Sequence, residues 1–336
     1  MEPAFWALSN GFCPMDTTPL IASAPALDAR FLEPAGFQWG HFTARDGARL
    51  RWGHLPAGGS SKDCILVGGF LEFIEKYFEV VRDFHARGFN VWCLDWRGQG
   101  RSVRTGATKP TARLFERDAE ELAQFISTMS PRAHKRLLVG HSMGGAISLL
   151  MLRHHPAAVD AAALSAPMLE INTGNAPRWA ARLLARVMTL LGRGNDFVPG
   201  AGAWPNLAPR FPPGMSRVSN DPVRSKLMDA WFGAFEDLRV DGPTHAWLSA
   251  AFALTSATQG ANFLRHIQTP ILMGSAGHDL LVDPAAHLRA ATLLPNCRLV
   301  TFDAAKHELF HETDAVRERW FGAIDAFIGE HIRPAP

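Results

Sequence analysis

The chain has 336 residues, of which 47% are hydrophobic and 20% charged, a composition typical of a folded globular protein rather than a disordered one. Its formal net charge of +2 is too small to favour a nucleic acid as partner. No apolar run reaches about 18 residues and no basic residue precedes Arg30, so we expect neither a membrane-spanning helix nor a secretory signal. The four cysteines are sparse, and the chain is expected to be a reduced, cytoplasmic protein.

The first part of the chain alternates short apolar segments with helix-like ones. An arm rich in Ala and Pro, residues 1–36, precedes two alternating segments around Arg45-Asp46-Gly47, which is a hairpin signal. The elements predicted before the serine motif described below are strands at 37–43, 49–54, 64–67 and 90–94 and helices at 73–87 and 111–129. Strands separated by helices of this length predict a parallel sheet with helices on both faces.

A long interruption divides the second part of the pattern. Between residues 168 and 262 there are helix-like segments separated by Pro and Gly but no convincing core strand. The elements predicted around this interruption are strands at 137–139, 159–164, 269–274 and 297–302 and helices at 146–155, 284–294 and 313–332. We therefore predict an α/β fold with a mostly parallel eight-stranded sheet and an inserted helical cap. Its units would be the arm (1–36), a first core part (37–167), the cap (168–262) and a second core part (263–336).

A G-x-S-x-G motif, residues 140–144, lies between a predicted strand and a predicted helix. In this context the tight turn forces Ser142 into a strained backbone state with its hydroxyl exposed, and the flanking glycines leave the necessary space. The helix N-terminus behind the serine favours negative charge that develops there. The alternative is a glycine-rich turn with an incidental serine. Because pattern and context agree, the motif predicts that Ser142 is a nucleophile.

A serine nucleophile needs a base, and the base needs a group that fixes its tautomer and orientation. In the chain order that accompanies this motif, the acid and then the histidine follow the serine. Asp279 stands just past the strand that follows the cap, and Asp283 is its rival. His307 lies in the loop after the last strand, whereas His287 and His331 lie inside predicted helices. We predict Asp279 as the acid and His307 as the base.

Residues 307–311, His-Glu-Leu-Phe-His, also match H-E-x-x-H, the signature of zinc proteases. That chemistry needs both histidines on one helical face, a third ligand and an open coordination position. Here the match straddles a loop and the start of a helix, and Glu318 and Glu330 are the third ligands that remain. The context therefore favours the serine triad over a zinc site.

The oxyanion of a tetrahedral intermediate needs two backbone N–H donors. Met143, which follows the nucleophile at the helix start, is predicted to supply one of them. The other is expected from the loop after the strand at 64–67, where Gly68-Gly69 lets the backbone approach closely. Phe70 N–H is the candidate, and an ordinary glycine turn is the alternative.

With these residues identified, the chain resembles the α/β-hydrolase superfamily, in its monoacylglycerol lipase and lysophospholipase branch. One departure is Gly68-Gly69, where many members have His-Gly. The resemblance implies a carboxylic-ester hydrolase of single-acyl-chain lipids, a lysophospholipid or a monoacylglycerol, that requires no metal or organic cofactor. It covers roughly residues 37–332 and is carried by the segments 73–77, 95–100, 140–145, 275–279 and 306–308.

Three other functions stay open on the sequence. A general esterase for short soluble esters and a serine aminopeptidase would use the same triad. A non-catalytic binding protein on this fold usually lacks a triad member, whereas this chain has candidates for all three. Fold alone does not decide among them.

The cap carries two further predictions. Its four tryptophans, at 179, 204, 231 and 247, predict that it covers the carboxyl edge of the sheet and forms the acyl-chain pocket. Within residues 176–194, Arg178, Arg182 and Arg186 recur every four residues beside an apolar side, with no acidic residue. This pattern predicts a helix that lies at a membrane surface. In the alternative, its apolar side packs on the domain and its arginines face water.

Overall fold

A computed structural model describes residues 25–104, 109–110, 114–130, 134–207 and 216–332. Most of the predicted arm, Cys13 and the first residues of the helix predicted at 111–129 lie outside the described residues. In the described ranges, no helix is both long enough and apolar enough to cross a membrane.

Within the described residues, eight strands form one sheet in the order β1-β2-β4-β3-β5-β6-β7-β8. β2 pairs antiparallel with β1 and β4, and the other neighbours are parallel. The prediction of a mostly parallel eight-stranded sheet is therefore confirmed. The strands are β1 (Gln38–Thr43), β2 (Arg49–Leu55), β3 (Lys62–Val67), β4 (Asn90–Leu94), β5 (Lys135–His141), β6 (Ala161–Ser165), β7 (Ile271–Ala276) and β8 (Cys297–Phe302).

Helices cover both faces of the sheet because its strands are apolar on both sides. The helices are α1 (Phe78–Ala86), α2 (Phe115–Met129), α3 (Met143–His154), α4 (Arg178–Met188), α5 (Leu227–Ala234), α6 (His245–Thr258), α7 (Ala261–Arg265), α8 (Pro284–Leu293) and α9 (Asp314–His331). Along β3, Ile65 and Val67 face one core with α2, α3 and α8, whereas Cys64 and Leu66 face the other with α1 and α9.

The helix predicted at 73–87 differs from the observed structure at its start. The chain first forms a 3₁₀ turn, Ile74–Tyr77, and only then α1. All four residues of that turn are buried, including Glu75 and Lys76, which an amphipathic surface helix would have exposed. Their partners lie inside the protein, so the turn follows tertiary ion pairs rather than helical periodicity. Other predicted boundaries differ by a few residues, which is usual for element ends.

The region between β6 and β7 supplies α4 to α7 and contacts the carboxyl edge of the sheet. Trp247 stacks on Phe70, with ring centroids 3.9 Å apart. Val218 O accepts the N–H of Glu308 over 2.8 Å. The segment predicted as the cap therefore touches the loops after β3 and β8, while its exact boundaries stay a prediction.

Candidate active site

Ser142 occupies the sharp turn between β5 and α3. Its φ of +50° and ψ of −117° form a backbone state that non-glycine residues seldom adopt. Such a state costs about 1–3 kcal/mol and persists only where the surroundings hold it. Ser142 N–H donates to Ser165 O over 3.0 Å, and Met168 N–H donates to Ser142 O over 2.9 Å. The neighbouring strand end therefore holds Ser142 in this turn.

Glycines around Ser142 lie where a side chain does not fit. A Cβ at Gly144 would lie 2.4 Å from Gly68 O, and one at Gly145 would lie 2.8 Å from Pro167 Cβ. A Cβ at Gly69 would lie 3.1 Å from Ser142 Cβ. The serine turn and the loop after β3 are therefore in direct backbone contact.

The predicted acid and base are in contact. His307 Nδ1–H donates to Asp279 Oδ2 over 2.6 Å, because an ionised carboxylate only accepts. The other oxygen of Asp279 accepts the N–H groups of Leu281 (2.8 Å) and Val282 (3.0 Å). Both side chains are buried. This pairing leaves Nε2 of His307 as the ring nitrogen that can accept a proton.

The contact between opposite charges shifts the pKa values of both residues. Burial alone would lower the pKa of His307, but the Asp279 carboxylate, with smaller contributions from Glu308 and Glu72, raises it above its ordinary value. Burial likewise raises the pKa of Asp279, but His307 and the two backbone N–H groups lower it overall. Asp279 therefore stays ionised, and His307 is basic enough to take up a proton near neutral pH.

The rival residues weighed in the sequence make other contacts. Asp283 is the N-cap of α8 and accepts the N–H of Ala285 over 2.9 Å. His287 lies 2.8 Å from Pro167 O through Nε2 and 2.8 Å from Ser275 Oγ through Nδ1. Neither side chain is hydrogen-bonded to His307 in the described part of the chain.

The H-E-x-x-H match does not form one helical face. His307 precedes the short 3₁₀ turn Leu309–His311, and its Nδ1 is bonded to Asp279. His311 Nε2–H donates to Lys76 O over 3.1 Å. Residues 307–311 thus lack the helical geometry that zinc proteases require of this motif.

The loop after β3, residues 68–72, is held by side chains that follow β4. Trp96 Nε1–H donates to Gly68 O over 2.8 Å. The side chain of Gln99 donates to Gly69 O over 2.9 Å and to Glu72 O over 3.0 Å. We call this segment the oxyanion loop, because it contains the predicted donor.

The two predicted oxyanion donors lie at the ends of β3 and β5. Met143 is the first residue of α3, so its N–H has no acceptor within the helix. Phe70 N–H has no acceptor among the described residues. Leu71 follows with φ +70°, which turns the chain sharply after Phe70. Both N–H groups are therefore available to a ligand.

The residue before the serine brings the serine turn close to the base. The rings of His141 and His307 have centroids 4.8 Å apart. Burial lowers the pKa of His141 to about 3, so that ring is neutral. Both Ser142 and His307 are described, and no hydrogen bond joins Ser142 Oγ to His307. Such bonds are often long in the free enzyme and tighten when substrate binds.

A buried ionic cluster beside His307 escaped the sequence reasoning. Lys76 Nζ donates to Glu72 Oε1 and to Glu308 Oε1, each over 2.6 Å. Glu72 Oε2 also accepts the N–H of Gly69 and the hydroxyl of Tyr77. The available signal was Glu72 and Lys76, four residues apart in an otherwise largely apolar segment. Their partner Glu308 is too far along the chain for any local pattern to identify.

Comparison with known proteins identifies relatives of this chain. A family model described as serine aminopeptidase, S33, matches residues 59–314. The chain is 31% identical over 307 residues to lysophospholipase L2 of Escherichia coli (strain K12), covering 88% of each protein. It is 27% identical over 252 residues to a monoacylglycerol lipase of Mycolicibacterium smegmatis, covering 74% of this chain and 82% of that one.

A solved structure resembles the whole fold. The crystal structure of the Paleococcus ferrophilus monoacylglycerol lipase has a TM-score of 0.64 at 19% identity, and the match covers 83% of this chain and 98% of that one. At this identity the likeness concerns the fold alone.

Proposed function

Because this chain belongs to the serine aminopeptidase S33 family of α/β-hydrolases, in the branch of lysophospholipase L2 and monoacylglycerol lipase, it is a serine hydrolase, and we propose that it cleaves single-acyl-chain lipid esters. The substrate would be a lysophospholipid or a monoacylglycerol. The observation that carries the proposal is the 31% identity to lysophospholipase L2 across 88% of both proteins.

The proposed first half-reaction acylates the serine. Ser142 Oγ attacks the ester carbonyl carbon while His307 Nε2 accepts the hydroxyl proton. Asp279 orients the ring and stabilises the imidazolium. The carbonyl oxygen becomes an oxyanion that accepts the N–H groups of Phe70 and Met143. When the tetrahedral intermediate collapses, the C–O bond to the alcohol breaks, and the alcohol leaves with the proton from His307.

The second half-reaction releases the fatty acid. His307 Nε2 accepts a proton from water, and the hydroxide adds to the acyl carbonyl carbon. Collapse of this intermediate breaks the bond to Ser142 Oγ, which regains its proton from His307. The stacked rings of Phe70 and Trp247 support an acyl substrate, because they place apolar side chains next to the proposed oxyanion donor.

A substrate panel tests the reaction. Lysophospholipids, monoacylglycerols, short soluble esters and peptide amides are compared by kcat/KM, with Ser142→Ala as the blank. We expect the single-chain lipids to be the best substrates. Higher kcat/KM on short esters would make the protein a general esterase. A preference for peptide amides would instead agree with the family's aminopeptidase description.

The proposal includes a contact with the lipid surface through α4. Ala185 is the buried residue of this helix. Helix α4 and the turn after it expose large apolar side chains along one side, with exposed fractions from 40% to 76%: Trp179, Leu183, Leu184, Val187, Leu190 and Leu191. Folded proteins rarely leave such a side uncovered without a binding partner.

The arginines of α4 correct one part of the sequence expectation. Arg178 pairs with Glu170 and, at 3.2 Å, with Asp283. Arg182 donates to Phe252 O over 3.0 Å. Two of the three arginines therefore anchor the helix to the protein instead of forming a free basic stripe. The packing alternative is also wrong, because the apolar side is the exposed one.

Vesicle co-sedimentation tests whether the exposed apolar side of α4 binds lipid. Ser142→Ala protein is used so that lipid is not consumed, with vesicles of phosphatidylcholine alone or mixed with phosphatidylglycerol. We expect Trp179→Ser/Leu190→Ser to abolish binding. Leu288→Ser is the matched control, because Leu288 is 52% exposed on α8, outside this patch. Equal binding by the double variant would refute the contact. A change from dimer to monomer in that variant would instead indicate a surface between two copies.

A further inference from the structure

Lys76 joins the two chain segments that flank the proposed site. Its ammonium nitrogen lies 2.6 Å from one oxygen of Glu72 and 2.6 Å from one oxygen of Glu308. Glu72 belongs to the oxyanion loop, and Glu308 directly follows His307. One cation thus contacts both the segment that carries Phe70 N–H and the segment that carries the base.

This arrangement is costly if it serves stability alone. The side chains of Lys76, Glu72 and Glu308 are 3%, 4% and 7% exposed, so three ionisable groups lose nearly all contact with water. A buried ion pair often stabilises a protein no more than apolar residues of the same volume would. The cluster nevertheless spans two loops that must act together, which favours a functional role.

We propose that Lys76 is a positioning residue, whose ammonium group couples the oxyanion loop to the base and fixes the distance between Phe70 N–H and His307. This inference rests on the proposed function, in which those two groups act on the same carbonyl group. Lys76 itself touches neither the substrate nor the reacting atoms.

On the oxyanion side, the coupling runs through the Glu72 carboxylate. Its Oε2 accepts the N–H of Gly69, so it holds the Gly68–Gly69 peptide, which is one unit before the peptide that carries Phe70 N–H. The hydroxyl of Tyr77 donates to the same oxygen. Lys76 holds the other oxygen, so loss of the ammonium group leaves the carboxylate held through Oε2 alone and loosens its hold on the loop.

On the base side, the coupling runs through Glu308. Its backbone N–H is held by Val218 O over 2.8 Å, and its side chain is held by Lys76. The other carboxylate oxygen has no hydrogen-bond partner among the described residues and lies 3.5 Å from His311 Nδ1. The link to Lys76 is therefore the hydrogen bond that holds this side chain, next in sequence to His307.

A metal ion is the other cation that this cluster could hold. Ligand atoms of Glu72, His141 and Glu308 lie within 4.8 Å of one another. Lys76 Nζ, however, already contacts an oxygen of each glutamate, and its charge would repel a second cation there. The geometry therefore assigns the cationic role to the lysine.

The test removes the ammonium group and measures catalysis per functional site. Lys76→Met keeps the length of the side chain, and fluorophosphonate titration counts reactive serines. We expect kcat on a short soluble ester to fall about 10- to 100-fold while KM changes less than about 3-fold, since a misplacement near 1 Å costs about that much rate. The rate constant of fluorophosphonate labelling should fall in parallel.

Two matched variants separate positioning from folding. Glu308→Gln keeps the Lys76–Glu72 pair and weakens the link to the base, and it also removes a small contribution to the raised pKa of His307. Compared at a pH where His307 is neutral in both proteins, it should fold and lose about 3- to 10-fold in kcat, since a charge-assisted bond becomes a neutral one. Arg136→Met removes another buried cation, at the opposite end of β5, where it donates to Ser130 Oγ over 2.8 Å. That control should lose stability and keep its kcat per titrated site.

The outcomes are distinct. Wild-type kcat per site in Lys76→Met, or a loss no larger than in Arg136→Met, would overturn the proposal. Loss of wild-type activity to a chelator, with recovery on adding zinc, would assign the cluster to a metal and overturn it too. If no lipid ester is cleaved, the proposed substrate fails, but the labelling rates at Ser142 still decide the role of Lys76.

Discussion

The carboxyl edge of the sheet and helix α4 depart from the usual distribution of side chains in opposite ways. At the sheet edge, ionisable groups are buried, among them Lys76, Asp279 and His307. On α4 and the turn after it, Trp179 is 71% exposed and Leu190 is 76% exposed. Charged residues are seldom fully buried unless paired, and large apolar patches are seldom left in water.

The difference lies in where each region finds its partners. Each of Lys76, Asp279 and His307 is hydrogen-bonded to another side chain of the same chain, so this region finds its charged partners within the protein. The apolar side of α4 has no cover among the described residues. We infer that the sheet edge catalyses the reaction, so substitutions there should change the catalytic rate. Helix α4 needs a partner outside the chain, so substitutions there should change binding to that partner.

The largest expected effect comes from removing the proposed nucleophile or the proposed base at the sheet edge. Ser142→Ala or His307→Ala should each reduce kcat by about 10⁶-fold, because nucleophile and base act as one unit. The measurement is turnover of the best lipid ester, with thermal unfolding to show that both variants stay folded. Vesicle binding should survive both changes. Fluorophosphonate labelling that persists in Ser142→Ala would contradict the assignment.

The acid should matter less than its partners. Asp279→Asn keeps the shape of the side chain but removes the charge and can hold the wrong tautomer of His307, so kcat should fall about 10⁴-fold and not to zero. Initial rates at high enzyme concentration measure the remainder. Asp283→Asn is the matched control, since it changes an N-cap and should leave kcat unchanged. A large loss of kcat in the control alone would reverse the assignment.

These catalytic candidates could be predicted from the sequence because each follows from a motif or from the order of the predicted strands. Ser142 lies in a five-residue motif, and Asp279 and His307 follow from chain order and from the strands they terminate. The structure brings the last two into a 2.6 Å contact, although no local sequence pattern requires that distance. A motif and the order of the strands are therefore enough to predict a site residue when that residue lies at the end of a strand.

The residues that sequence reasoning missed depend on long-range contacts. The sequence predicts a helix at 73–87 that includes Lys76, but the partner of Lys76, Glu308, lies 232 residues away in the sequence. Helical periodicity likewise grouped Arg178 and Arg182 on one side of α4. Which side faces water depended on Glu170 and Phe252, whose positions only the folded chain supplies.

Two tryptophans of the predicted cap should differ in how much they contribute to the free energy of unfolding. Trp231 is 1% exposed and packs against Phe78 with ring centroids 5.9 Å apart, so Trp231→Ala should cost about 3–5 kcal/mol. Trp179 is 71% exposed, so Trp179→Ala should stay within about 0.5 kcal/mol. Denaturant unfolding measures both. A cost above about 2 kcal/mol for Trp179→Ala would mean that α4 is covered in solution.

A change in pH alters no side chain permanently, and it should act on the sheet edge while sparing α4. In the proposed mechanism His307 must be neutral to accept the serine proton, and Asp279 raises its pKa above the ordinary value against the effect of burial. As the pH falls, His307 therefore begins to take up its proton at a higher pH than a free histidine does. On the acid side of this pKa, kcat/KM should fall about tenfold per pH unit. Glu308 and Glu72 add smaller contributions in the same direction.

Vesicle binding provides the counterpart of that pH profile. Residues 176–195 contain arginine as their sole ionisable type, and arginine keeps its charge throughout this range. Co-sedimentation of the Ser142→Ala protein should therefore stay constant from about pH 5 to pH 8, where only histidine normally titrates. If binding declined together with kcat/KM, protonation at the sheet edge would be altering α4, and the two regions would not be independent. Constant binding across the acid limb of the rate profile would instead assign the pH dependence to the buried site alone.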